Sequence, residues 1–262
     1  MKRQPEFFPQ LPATFPVSES IFLRRFADAG LCRTLDPMRY KAILLFGAPG
    51  SGKGTQGKIL GSIPGFYHNA TGDIFRSLDL QSEMGRVFWE YAGRGQLVPD
   101  ELTIRLWKQY IKGMEMINQF HPESEILVLD GIPRNLDQAK LVEDTIDVQK
   151  VIYLRCSDLS KMVERLRRRA LKENRFDDAN DEVIHRRLVE YESKTRPVLD
   201  FYPKDRIEHI DATMSQIRVL SQILKVLVPI KESHDGHEHH DETKATSAPA
   251  TVTATAAVPV AV

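Results

Sequence analysis

Two cysteines in 262 residues, Cys32 and Cys156, are too few for a disulfide framework or an all-cysteine zinc site. They fit a reducing, intracellular compartment. No run approaches the ~18 uncharged apolar residues of a membrane span, which argues against an integral membrane protein. Neither sign of charge is in excess, since 36 Lys+Arg balance 36 Asp+Glu. The chain therefore has no global pull toward nucleic acid, although local basic patches remain to be read. What is present is ordinary globular composition, with 42% hydrophobic and 27% charged residues. That excludes a wholly disordered chain, a collagen-like repeat and a coiled-coil rod. At ~150 residues per domain the length allows one large domain or two small ones.

The chain divides into three parts. In residues 1–40, Pro5, Pro9, Pro12 and Pro16 interrupt any helix before Val17. A short amphipathic helix is expected from Ser18 to about Leu35, with Ile21, Phe22, Phe26 and Leu31 as its apolar residues. It has no continuous apolar core of a secretory signal, and Glu6, Glu19 and Asp28 weigh against a mitochondrial leader. The expectation is an extension packed on the domain surface or partly mobile, on a cytoplasmic protein. Residues 231–262 carry His234, His237, His239 and His240 among acidic residues, then an Ala/Thr/Val/Pro stretch without an aromatic residue. Such a tail cannot bury enough apolar surface to offset its ordering entropy, so disorder is expected. Its histidines have the alternative of loose divalent-metal binding.

Residues 41–230 alternate two patterns. Short apolar runs at 41–46, 125–130 and 150–154 read as buried strands, with weaker ones at 206–211 and 66–69. Between them, helical spacing predicts a helix over 100–119, with Leu102, Leu106, Tyr110 and Met114 four apart, and charged helices over 159–172 and 181–191. Strands alternating with helices imply a parallel sheet with right-handed crossovers and both faces covered, an α/β fold.

Gly47-Ala-Pro-Gly-Ser-Gly-Lys-Gly-Thr55 follows the first strand and precedes a helical segment. Glycines at this spacing let successive backbone N–H groups curve around a phosphate, and the next helix points its positive end at the same place. Lys53 adds a full charge for the outer phosphates. A Gly-rich turn that binds nothing is the bland alternative. Farther on, Thr71 and Asp73 stand where a helix should begin, and either suits its N-cap. Arg76 follows one turn later. Asp130 ends a buried strand, where open α/β sheets hold their ligands. An Asp-Gly turn is the structural alternative there. Arg165, Arg167, Arg168 and Arg169 form a basic cluster that reads alone as a solvated helix face or a nucleic-acid patch. With no interleaved aromatic before Phe176 and acidic residues directly after it, nucleic acid is not expected as a partner.

The Gly-x-Pro-Gly-x-Gly-Lys-Gly-Thr loop resembles that of the nucleoside monophosphate kinases of the adenylate kinase family. Further matches follow in order over about 190 residues: Ala70-Thr-Gly-Asp-Ile-Phe-Arg76, Gly95-Gln-Leu-Val-Pro99, Asp130-Gly-Ile-Pro-Arg134 with Gln138, and Arg165, Arg169, Arg175-Phe-Asp-Asp178 and Arg187. The resemblance implies a parallel sheet of P-loop NTPase type, a mobile monophosphate-binding helical region over 70–98 and a short lid over 168–178. It implies reversible phosphoryl transfer from Mg-ATP to AMP, giving ADP, with Lys53, Arg134, Arg169, Arg175 and Arg187 as catalytic residues. ATP would meet Gly50, Ser51, Gly52, Lys53, Gly54, Thr55, Arg165, Arg169 and the backbone at Met214. AMP would meet Thr71, Arg76, Gln96, Leu97, Val98, Gly131, Arg134, Gln138, Arg175 and Arg187. Asp130 would hold Mg²⁺ through water, and Asp177 and Asp178 would orient the lid arginines. A lid this short leaves no room for a zinc-binding insertion, so no structural zinc is expected, and short-lid members lean toward the monomer.

Uridylate-cytidylate kinases share the loop and the arginines. Thr71, Leu97 after Gln96, and Gln138 favour AMP, whereas Asn135 after Arg134 leans the other way. A non-catalytic nucleotide sensor would have lost charged groups that this chain keeps. Ala70 in place of serine, Ile132 in place of an aromatic and Met214 in a usually glycine-containing turn are the departures from the family pattern.

Overall fold

A computed structural model describes residues 39–79, 81–173 and 180–242, the last stretch with side chains through residue 236. Expectations for the extension before residue 39, for Arg175, Asp177 and Asp178, and for the tail beyond residue 242 lie outside the described residues.

Five strands form one parallel sheet: β1 (Tyr40–Phe46), β2 (Phe66–Ala70), β3 (Ile126–Asp130), β4 (Ile146–Arg155) and β5 (Ile207–Asp211), in the order β2-β3-β1-β4-β5. All five apolar runs of the sequence are strands. β4 starts earlier than its apolar run because half-buried Asp147 and Gln149 interrupt the hydrophobicity without ending the ladder. β1 lies at the centre, and its side chains alternate between two cores. Ala42, Leu44 and Phe46 face one, and Ile43 and Leu45 face the other. In register, Leu45 pairs with Asp130 and Phe46 with Tyr153, so the loop after β1 and the carboxylate ending β3 emerge side by side.

The helices are α1 (Lys53–Leu60), α2 (Thr71–Arg76), α3 (Glu83–Gly93), α4 (Asp100–Met116), α5 (Leu136–Val142), α6 (Leu159–Glu173), α7 (Asp181–Glu190) and α8 (Gln216–Glu242). Side-chain caps open four of them: Ser82 for α3, Asn135 for α5, Asp158 for α6 and Asn180 for α7 each accept a backbone N–H of the first turn. α4 carries Trp107 and Ile111, both fully buried, onto the Leu44, Leu127 and Leu129 face of the sheet. Its buried stripe runs through Thr103, Ile104, Trp107 and Ile111. The row read from sequence, Leu102, Leu106, Tyr110 and Met114, flanks that stripe and is only partly buried. α8 packs Val219, Ile223 and Leu227 on the opposite face. Two smaller clusters stand beyond the sheet ends, Phe75 with Phe88 and Val98, and Met162 and Leu166 with Ile184 and Leu188.

The compositional break near residue 231 is not the structural one. α8 continues through Glu242, although disorder was expected from 231. Its last turns have anchors of their own: Lys231 Nζ donates to the Ser124 carbonyl at 3.1 Å and pairs with Asp235, and His234 is buried. Among the described residues no helix is long and apolar enough to cross a membrane.

Candidate active site

The loop between β1 and α1 turns through three glycines of positive φ, Gly47 (147°), Gly50 (83°) and Gly52 (99°). Gly50 is required twice over: its φ is one that L side chains avoid, and a Cβ there would lie 2.7 Å from the Met162 carbonyl oxygen. Lys53, the first residue of α1, folds back over this loop. Its ammonium donates to the carbonyls of Gly47 at 2.5 Å and Ala48 at 3.1 Å. Thr71 and Asp73 do not cap α2 as expected. Ala70 holds the N-cap position without a side-chain bond, and the Asp73 carboxylate instead accepts from Arg76 at 2.5 Å. At the end of β3, Gly131 (φ 87°) lets Arg134 fold across it, so that Arg134 Nε donates to the Gly131 carbonyl at 2.9 Å.

A cleft of about 610 Å³ opens over the carboxyl ends of the strands. The loop lines it with Gly50, Ser51, Gly52, Lys53, Gly54 and Thr55, and Arg165, Arg169 and Met214 line it too. The same cleft is lined by Thr71, Arg76, Gln96, Leu97, Val98, Asp130, Gly131, Arg134, Gln138 and Arg187. Every site residue inferred from the sequence that falls within the described residues lines this one cleft. Arg175 falls outside them. Of the four arginines of the basic cluster, Arg165, Arg168 and Arg169 line the cleft, Arg165 also donating to the Ala212 carbonyl at 3.1 Å and Arg168 pairing with Glu164, whereas Arg167 forks onto Asp181 at 2.6 and 2.8 Å outside it. Sequence reasoning missed Asp100, which accepts from the side chains of Gln138 and Asn135, each at 2.8 Å. Asn135 caps α5 and does not line the cleft, which removes its weight as a sign of a pyrimidine acceptor.

Electrostatics tie the site together. Desolvation by the loop walls is the largest effect on Lys53; Asp130 opposes it, while Arg134, Arg169 and Arg187 reinforce it, and the ammonium is pushed down to about 8. The folded protein thus holds this proton less tightly than the unfolded chain does. Its cost to folding is fully present below about pH 8 and is relieved as pH rises toward the ordinary lysine value. A polyphosphate in the loop reverses the local balance by favouring the ammonium. We expect pyrophosphate binding at about pH 9 to take up nearly one proton more in the parent than in Lys53→Met, a difference in which the ligand's own titration cancels, and at about pH 6.5 almost none more. Calorimetric titrations in buffers of different ionisation enthalpy measure this, and the same slope of heat against ionisation enthalpy at about pH 9 in parent and Lys53→Met would contradict it.

The sequence pattern of the family described as "Adenylate kinase" matches residues 45–207. A protein named adenylate kinase from Cyanothece sp. is 37% identical over 195 residues, covering 72% of this chain and 96% of that protein. Those from Thermobifida fusca and Porphyromonas gingivalis are 38% and 34% identical, covering 65% and 64% of this chain and 89% and 84% of theirs. The match spans the loop after β1, Asp130 and the arginines of the cleft, and the chain belongs to the adenylate kinase family.

Proposed function

We propose that the protein is an enzyme that transfers the terminal phosphoryl group of ATP reversibly to AMP, giving two ADP. The observation that carries this reading is the single cleft in which Lys53 of the phosphate loop feels Arg134, Arg169 and Arg187. The loop side takes the donor, with Arg165 and the Met214 backbone at its base. The opposite side takes the acceptor, with Arg76 and Arg134 on its phosphate and Gln138 at its base.

The nucleophile is a phosphate oxygen of the monophosphate, already ionised at neutral pH, so no general base is required. That oxygen forms a bond to the γ-phosphorus as the bond from phosphorus to the bridging oxygen of ATP breaks, and each product leaves as ADP. The protein's task is to hold the two phosphates in line and to neutralise charge as it redistributes over the migrating group. Lys53, Arg134, Arg169 and Arg187 bring fixed positive charge to that point, and Arg175 is proposed to join them from the lid. Closure of the 70–98 region and the lid excludes water, which would otherwise hydrolyse ATP. Asp130 suits the family's magnesium ion. Its carboxylate faces the loop, with Oδ2 3.5 Å from where a Cβ on Gly54 would stand, and hard oxygen donors are what Mg²⁺ accepts. Bound with ATP there, Mg²⁺ supplies neutralisation of phosphate charge. The short-lid resemblance supports a monomer, low cysteine content supports a reducing, intracellular setting such as the cytoplasm, and the balanced charge of the chain gives no pull toward nucleic acid.

The test is a coupled assay with Mg-ATP against AMP, UMP, CMP and GMP. Strong ADP formation with AMP, and at least about tenfold weaker formation with the others, is expected. Preference for UMP or CMP would keep the fold and chemistry but overturn the acceptor. Silence with all four, in folded protein that still binds ATP, would favour a sensor.

A further inference from the structure

Gln138 is 1% exposed, yet its amide lies in the wall of the acceptor side of the cleft. Both ends of that amide are held. Oε1 accepts the Arg134 backbone N–H at 2.8 Å, and Nε2 donates to Asp100 Oδ1 at 2.8 Å. A backbone N–H only donates and a carboxylate only accepts, so neither contact survives a half-turn of the amide. Asp100 is itself placed by the chain around it. It is the first residue of α4, directly after the Gly95–Pro99 segment, and the same oxygen accepts from Asn135 Nδ2 at 2.8 Å. Asn135 in turn caps α5 through the Gln138 backbone N–H at 2.8 Å.

The order of donor and acceptor on an amide is what a base edge reads. Adenine presents a ring-nitrogen acceptor beside its amino donor, and cytosine does the same. Guanine and uracil present a carbonyl acceptor beside a ring N–H donor, the reverse order. An amide free to turn satisfies either order. An amide held at both ends offers its remaining N–H and its remaining lone pair in one order only. We propose that Asp100 is a positioning residue that sets the base specificity of the acceptor site by holding the Gln138 amide in one orientation. This rests on the reading of the cleft as an AMP site. It implies discrimination by edge pattern against GMP and UMP, whereas CMP has to be refused by size.

The experiment measures kcat and KM for AMP, GMP, UMP and CMP in the parent, Asp100→Ala, Asp100→Asn, Gln138→Ala and the Asp100→Ala/Gln138→Ala double variant. In Asp100→Ala the KM for AMP is expected to rise about tenfold, with kcat changed less than about threefold and the KM for ATP unmoved. The AMP:GMP and AMP:UMP ratios of kcat/KM should fall about tenfold and the AMP:CMP ratio less. Asp100→Asn, which keeps an acceptor oxygen without the charge, should fall between parent and Asp100→Ala. In the Gln138→Ala background the Asp100→Ala change should add less than about twofold, because the group it positions is gone. Additive losses, or unchanged base ratios in Asp100→Ala, overturn the proposal. Should Asp100→Ala fail to fold, unchanged base ratios in Asp100→Asn overturn it. A parent that prefers UMP sinks the AMP reading itself, whereas a parent that prefers AMP beside a variant with unchanged ratios sinks only the role of Asp100.

Discussion

Lys53→Met lowers turnover by about a thousandfold and leaves thermal unfolding within about 1 kcal/mol of the parent. The two halves of this expectation share one cause. The ammonium is held where burial, Arg134, Arg169 and Arg187 all work against its charge, so it is a burden on the nucleotide-free fold. Removing it relieves that burden while giving up two bonds to loop carbonyls, which are of similar size and opposite sign. In the reaction the same charge sits where phosphate charge gathers, and methionine of comparable length supplies none. Turnover in the coupled assay and a melting curve on the same preparation check both halves. More than about a tenth of parent turnover would mean that the cleft does not use the lysine for phosphoryl transfer. A large loss of stability would mean that its bonds to Gly47 and Ala48 hold the loop together.

Trp107→Ala should cost about 4 kcal/mol of stability, a fall in melting temperature of about 10 °C for a domain of this size. Trp107 is fully buried between α4 and the sheet, and no neighbouring side chain can swing in to fill a space so large without leaving another. Its indole Nε1 has no hydrogen-bond partner among the described residues, so part of what tryptophan contributes by packing is offset by a desolvated donor. Trp107→Phe removes that donor while keeping most of the ring volume, and its cost should stay within about 1 kcal/mol. Trp107 does not line the cleft. Below the melting transition, turnover of both variants should therefore stay within about twofold of the parent. A Phe variant as unstable as the Ala variant would show that ring size, and not the balance of packing against the orphaned donor, governs this position.

Local pattern carried most of the fold. All five strands were readable because buried parallel strands are short and continuously apolar, and the phosphate loop was readable because its glycines and lysine lie within nine residues. The misses have physical reasons. The α4 face was misplaced by one position because Thr103 and Trp107 were not counted among its apolar residues, and burial followed the sheet beneath. The α2 cap was assigned to Thr71 or Asp73, but Asp73 found Arg76, an ion pair that a cap would have forfeited. The end of α8 was misjudged from composition, since Ser124, which accepts from Lys231, is 107 residues away in sequence. Asp100 was invisible for the same reason: nothing local to it announces Gln138 38 residues later.

The pairing of Leu45 with Asp130 has a consequence for where variation is tolerated. The loop carrying Lys53 hangs from one strand and the Asp130 carboxylate from its neighbour, so their separation is inherited from the lateral spacing of adjacent strands, about 4.8 Å, among the least adjustable lengths in a protein. Helices on either face can thicken, tilt or exchange side chains without altering that ruler. Thermostability can accordingly be engineered into the outer layers of this enzyme with its reaction geometry left as it is, whereas an insertion of one residue within β1 would exchange the side chains that follow it between the two cores and disrupt fold and site together.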